Sequence, residues 1–164
     1  ASLSGFYLGI ALIIFSLLMF LLDIDLDSPF RYFSYLIIAG GLFWSMVSYR
    51  DKHMSGFLDY KGAFITGFYT GLIASVIAGI FAYVYAQYID VGLTEEILTR
   101  AETEMLENNP NMSDEQIDQA LTMTEKFTSP AMMGIWGFVG NLVVSTIFSL
   151  IIAIFAKREN KNVA

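Results

Sequence analysis

The chain has 164 residues, 55% of them hydrophobic, and a formal net charge of −7. Its mean hydropathy of +0.57 is higher than a water-soluble domain usually carries. It has no Cys, which excludes a disulfide framework, a thiolate nucleophile and a Cys-ligated metal.

The charges are segregated. Residues 1–22, 32–49, 62–88 and 131–156 contain no Asp, Glu, Lys, Arg or His. A helix rises about 1.5 Å per residue, so roughly 20 apolar residues cross a bilayer core of about 30 Å. Hydrocarbon cannot satisfy free backbone N–H and C=O groups, so stretches this long and apolar are expected to cross as helices. The expected fold is all-α: an integral membrane four-helix bundle forming a single domain over 1–164, with an acidic helical hairpin between spans 3 and 4.

The first span is expected over about 3–22. It lacks a basic leading segment, and Asp23, Asp25 and Asp27 follow it in place of a small-residue cleavage site, so it reads as a retained span. The three alternating aspartates have oxygen ligands for a divalent cation but lack the rest of a calcium-loop pattern, and a solvated acidic cluster is the plainer reading. Pro29 limits helix continuation before the second span, expected over about 30–49. The segment 50–61 is read as a short surface loop of mixed charge, with Arg50, Asp51 and Lys52 as a candidate cytoplasmic contact. His53, the chain's only histidine, reads as solvated.

The third span is expected over about 62–88. It carries two ladders of small residues at four-residue spacing: Ala63, Gly67, Gly71, Ser75 and Gly79, and Ala74, Ala78, Ala82 and Ala86. Such stripes let helix backbones approach closely, which matters in lipid because apolar side chains gain little by leaving equally apolar tails. Two stripes imply packing on two sides, either both within the bundle or one against another subunit. The water-facing insert, 90–129, has apolar residues at helical spacing on either side of Asn108-Asn109-Pro110-Asn111, and Ser113 with Gln116 forms a capping-box pattern. The fourth span is expected over about 130–156, capped by Ser129 and Pro130. Its stripe is Gly137, Asn141, Ser145, Ser149 and Ala153. Asn141 is polar at span depth, either as a pin bonded across helices or as part of a pocket. Helix-packing or partner-interface candidates are therefore Gly67, Gly71, Ser75, Gly79, Gly137, Asn141 and Ser145.

Charge sets the expected orientation. The 50–61 loop and the C-terminal tail hold Arg50, Lys52, Lys61, Lys157, Arg158 and Lys161 against three acids, net +3. The 23–31 loop and the 89–130 segment hold three basic residues against thirteen acids, net −10. Loops rich in Lys and Arg stay cytoplasmic, so both termini are expected inside a bacterial cytoplasmic (inner) membrane and the acidic insert in the periplasm. No ionisable side chain lies within a span core, which argues against a proton- or ion-coupled pump. No HExxH, Walker A or GxSxG pattern occurs. An acidic surface disfavours nucleic acid. No catalytic, cofactor-binding or metal residue is expected, and the chain is not expected to be an enzyme.

The stretch Ser48-Tyr49-Arg50-Asp51-Lys52-His53-Met54-Ser55-Gly56-Phe57, followed by Tyr60-Lys61-Gly62-Ala63-Phe64 and Gly67, resembles a family of small membrane proteins. Leu72-Ile73-Ala74-Ser75, the acidic insert and the closing Lys157-Arg158 extend the likeness over nearly the whole chain. The family is domain of unknown function 4199, found mainly in Bacteroidota. It implies four helices with a charged insert between the third and fourth, and it transfers no catalytic residue. Members are often encoded near family-two glycosyltransferases, which implies accessory work for a glycosyltransferase on a lipid-linked sugar as an alternative function. The first expectation is a non-catalytic subunit or scaffold in a membrane complex or homo-oligomer, with lipid and membrane protein as partners and no cofactor. Passive transport or lipid binding is a further alternative.

Overall fold

A computed structural model describes residues 1–160. Lys161, counted above with the basic face, lies outside the described residues. Those residues form α-helices with no strand among them. The helices are α1 (Ser2–Leu21), α2 (Phe33–His53), α3 (Tyr60–Val84), α4 (Leu93–Asn108), α5 (Asp114–Phe127) and α6 (Pro130–Ala156). A 3-10 turn over Pro29–Tyr32 leads into α2, and a π-helical turn over Tyr85–Ile89 ends α3. Four helical stretches, Ser2–Leu21, Pro29–His53, Tyr60–Ile89 and Pro130–Ala156, are long and apolar enough to cross a membrane.

Helix ends follow local chemistry. Ser28 caps the 3-10 turn, its hydroxyl accepting from the Phe30 amide, with Pro29 in the first position, where no amide is needed. Asp59 caps α3 by accepting from the Gly62 amide at 2.9 Å. The capping box forms at α5: the Ser113 hydroxyl accepts from the Gln116 amide, and the Gln116 side chain accepts from the Ser113 amide. Helix α2 continues four residues beyond the expected span end, so Arg50, Asp51, Lys52 and His53 are helical. Cations in a last turn complement the helix dipole, which favours this extension. The chain then turns through Ser55 (φ 52°) and Gly56 (φ 84°), the latter in a left-handed conformation that suits glycine.

The described chain divides into two compact units, residues 1–78 with 138–160 and residues 79–137. In the first, α1 packs on α2. A Cβ added at Gly5 would meet the Thr70 carbonyl and Ile73, and one at Gly9 would meet Ile77, so α1 runs parallel to α3 in close contact. Helix α6 runs antiparallel to α3, with Ser149 against Gly67 and Ser145 against Gly71. The apolar core of this unit is built on Leu8, Ile38, Leu42, Met46, Ala63, Ala74 and Ala153. In the second unit α4 packs on α5. Leu93 and Ile117 are buried, and the Thr94 hydroxyl donates to the Thr128 carbonyl at 3.0 Å, tying the start of α4 to the end of α5.

Large apolar side chains point outward along the long helices. Leu3, Leu21 and Phe155 are 69%, 75% and 73% exposed, whereas Thr70 and Ser75 are fully buried. Small and hydroxylated residues share the interior with Leu42 and Met46, while many Leu, Ile and Phe lie outside, an arrangement lipid favours.

Candidate functional site

Every member of the first α3 ladder, Ala63, Gly67, Gly71, Ser75 and Gly79, is buried. The reason is geometric. Side chains four apart lie nearly one above another on a helix, and absent or small side chains leave a flat strip. In the first unit α6 fills that strip. A Cβ at Gly67 would stand 2.7 Å from the Ser149 Oγ and would run into the end of Met46; one at Gly71 would run into the Ser145 side chain. The sequence-derived candidates Gly67, Gly71, Ser75 and Ser145 thus form one seam with Ser149. Asn141 lies one turn before Ser145 on α6 and is half-buried. Gly79 and Gly137 belong to the second unit. There Gly79 is buried, and its carbonyl lies 3.1 Å from where a Cβ on Gly134 would stand; Gly137 is half-buried.

The seam is polar. Ser45, Thr66, Thr70, Ser75, Ser145 and Ser149 are all buried. Ser45 Oγ and Thr70 Oγ1 share a 2.6 Å hydrogen bond between α2 and α3. Thr66, Thr70 and Ser75 donate to the carbonyls of Gly62, Thr66 and Gly71, four residues back, at 2.7–2.8 Å. Such back-bonding satisfies a hydroxyl in its own helix. The Ser149 Oγ is buried without a hydrogen-bond partner. Sequence reasoning missed Thr66 and Thr70. The signal was present, since Gly62, Thr66, Thr70 and Ala74 form a stripe at the same spacing, one residue round the helix from the ladder.

The charged candidates divide. Arg50 is turned inward, its side chain only 15% exposed. One terminal nitrogen donates to the Ala156 carbonyl at 3.0 Å, and Nε donates to Asp51 at 2.7 Å. Next to it, Leu58 and Arg158 exchange a pair of backbone hydrogen bonds at 2.7 and 2.8 Å. Arg50 therefore helps close the end of α6 onto the α2–α3 loop, while Asp51 and Lys52 are exposed. At the other end of α2 lies a cleft of about 460 Å³, lined among others by Asp27, Ser28, Arg31, Tyr32 and Tyr35. Asp23, Asp25 and Asp27 are exposed, and among the described residues no group of three or more His, Cys, Asp or Glu side chains could hold a metal ion.

Comparison with curated proteins finds no match, and comparison with solved structures finds none either. A match to a protein family runs over residues 3–158, from the start of α1 to the bridge at Arg158, and takes in the α3 ladder, the seam on α6 and the α2–α3 loop; the chain belongs to the family described as Protein of unknown function (DUF4199).

Proposed function

We propose that this chain is a non-catalytic integral membrane protein that acts as a subunit or scaffold, in a homo-oligomer or in a complex with another membrane protein. It sits in the bacterial cytoplasmic membrane with both termini inside. The α4–α5 pair forms an acidic helical hairpin on the periplasmic side.

The observation that carries this reading is a pair of glycines the chain does not use itself. A Cβ on Gly40 of α2 or Gly140 of α6 would meet nothing within 4 Å. Glycine in a helix interior costs about 1 kcal/mol relative to alanine. Gly67 and Gly71 offset that cost by contact with α6. Gly40 and Gly140 sit on exposed apolar surface beside Phe43 and Trp44, and Val139 and Val143. A notch of this kind admits a neighbouring helix, which is how association in lipid gains contact. Exposed Asp51 and Lys52 supply a cytoplasmic contact, and exposed Met123 and Phe127 on α5 supply a periplasmic one.

The test is extraction from native membranes in mild detergent, with native mass spectrometry and in-membrane cross-linking of the wild type and of Gly40→Leu and Gly140→Leu. The wild type is expected to carry a second copy or one stoichiometric partner, lost in at least one variant whose thermal stability is unchanged. A wild type that is alone and monomeric both after extraction and after cross-linking would sink the proposal.

A further inference from the structure

We propose that the cleft at the start of α2 binds the headgroup of a zwitterionic aminophospholipid, with Arg31 taking the phosphate and Asp27 the ammonium. The inference rests on the membrane reading above, which places the ends of the long helices at headgroup depth.

The cleft is about 460 Å³, within the size range of small-ligand sites. It lies where the 3-10 turn enters α2. Arg31 is held in place: Nε donates to the Asp25 carbonyl and a terminal nitrogen to the Ile24 carbonyl, both at 2.9 Å. Those two bonds fix the plane of the guanidinium and leave its other N–H donors for a phosphate, which the planar fork matches. Asp27 is among the residues that line the same cleft, and its negative charge makes the cleft a poor fit for a bare anion. A carboxylate has several acceptor sites and takes an ammonium beside any other partner. Tyr32 and Tyr35 stack with ring centroids 6.0 Å apart and 25° between planes, and they line the cleft as well. Aromatic faces attract ammonium groups. Positive, negative and aromatic walls together fit phosphate linked to a short amine.

The surroundings suit a lipid rather than a free phosphoethanolamine. Leu21, Leu22, Phe33 and Leu36 are 75%, 65%, 50% and 65% exposed around the same helix ends. They belong to the end of α1 and the start of α2, the segments that flank the cleft in sequence, and offer apolar surface to acyl chains.

The experiment reconstitutes the protein into nanodiscs of equimolar phosphatidylethanolamine and phosphatidylglycerol, then releases it gently and counts retained lipids by native mass spectrometry. The wild type is expected to retain phosphatidylethanolamine over phosphatidylglycerol by about tenfold, a free-energy difference one charged contact supplies. Asp27→Asn is expected to bring that ratio close to one, and Arg31→Gln to lower retention of both lipids. Because Arg31 also holds the loop carbonyls, the Asp27→Asn ratio decides if Arg31→Gln misfolds. An unchanged ratio in Asp27→Asn, or no selectivity in the wild type, would overturn the inference. So would displacement of the retained lipid by millimolar glycerophosphoethanolamine, which would assign the cleft to a soluble ligand. Extraction of the protein from native membranes by alkali alone is a separate result that would overturn the membrane reading instead.

Discussion

Two glycines of the same type on the same kind of helix differ in what surrounds them, and that difference makes a prediction. At Gly71 an added methyl group would overlap the Ser145 side chain, whose own helix is pinned by neighbouring contacts. Overpacking in a close-packed interior costs roughly 1–3 kcal/mol. At Gly140 the methyl group would enter open space, and the better helix propensity of alanine contributes up to about 1 kcal/mol. Gly71→Ala is therefore expected to lower the thermal midpoint in detergent, and Gly140→Ala to leave it level or raise it. The opposite order would mean that α6 does not lie on the α3 ladder. The buried hydroxyls divide in the same way. Ser45→Ala removes the 2.6 Å bond to Thr70 and is expected to cost about 0.6 kcal/mol, up to about 1.7, the range found for hydrogen bonds between membrane helices. Ser149→Ala removes a buried hydroxyl with no partner, so it is expected to be neutral or stabilising. Chemical denaturation of the two variants side by side reads the difference in sign.

At the scale of elements, the end of α6 is held by a small set of bonds that the sequence does not announce. Leu58 and Arg158 are one hundred residues apart, and nothing in their spacing marks them as partners. The pair forms because the turn through Ser55 and Gly56 brings Leu58 back past the end of α2, and Arg50 reaches the Ala156 carbonyl that α6 leaves without an intrahelical partner. Arg50→Ala is expected to loosen this end locally. Amide exchange at Lys157 and Arg158 should quicken several-fold, while exchange at Ser145 to Ser149 in the seam stays unchanged. Equal rates in variant and wild type at Arg158 would show that the backbone pair alone closes the loop. The contrast marks what a sequence displays. The four long apolar helices, the α3 ladder, the α5 capping box and the Ser129-Pro130 start of α6 were legible because each depends on neighbours within a few positions. The helical character of 50–53, the inward turn of Arg50, the Thr66–Thr70 row beside the ladder and the cleft at Arg31 were not. Each of these depends on where a distant segment lies, and periodicity carries no information about that.

For the whole molecule the decisive quantity is where the charge falls relative to the apolar helices. Only 17–39% of each apolar window in the four long stretches is buried, which leaves extensive apolar surface uncovered. Exposing that surface to water is opposed at about 25 cal/mol per Å², which fits the proposed membrane placement. In the proposed placement across a bilayer, the flanks set the expected orientation. Arg50, Lys52, Lys61, Lys157 and Arg158 gather at the α2–α3 loop and the end of α6, and the acids gather in α4 and α5. Moving each positive charge outward across an energised membrane is disfavoured by about 2.3 kcal/mol per 100 mV, and short loops rich in Lys and Arg stay cytoplasmic. The absence of native cysteine makes the test direct. His53→Cys at the end of α2 and Thr103→Cys on α4 both alter exposed residues outside the packed interior. A membrane-impermeant maleimide supplied from the periplasmic side of intact inner membrane is expected to label the Thr103 variant fully and the His53 variant only after permeabilisation. The reverse pattern would invert the protein. Labelling of both sites without permeabilisation would place α4 and the α2–α3 loop on the same side, and the four long helices could not then all be crossing.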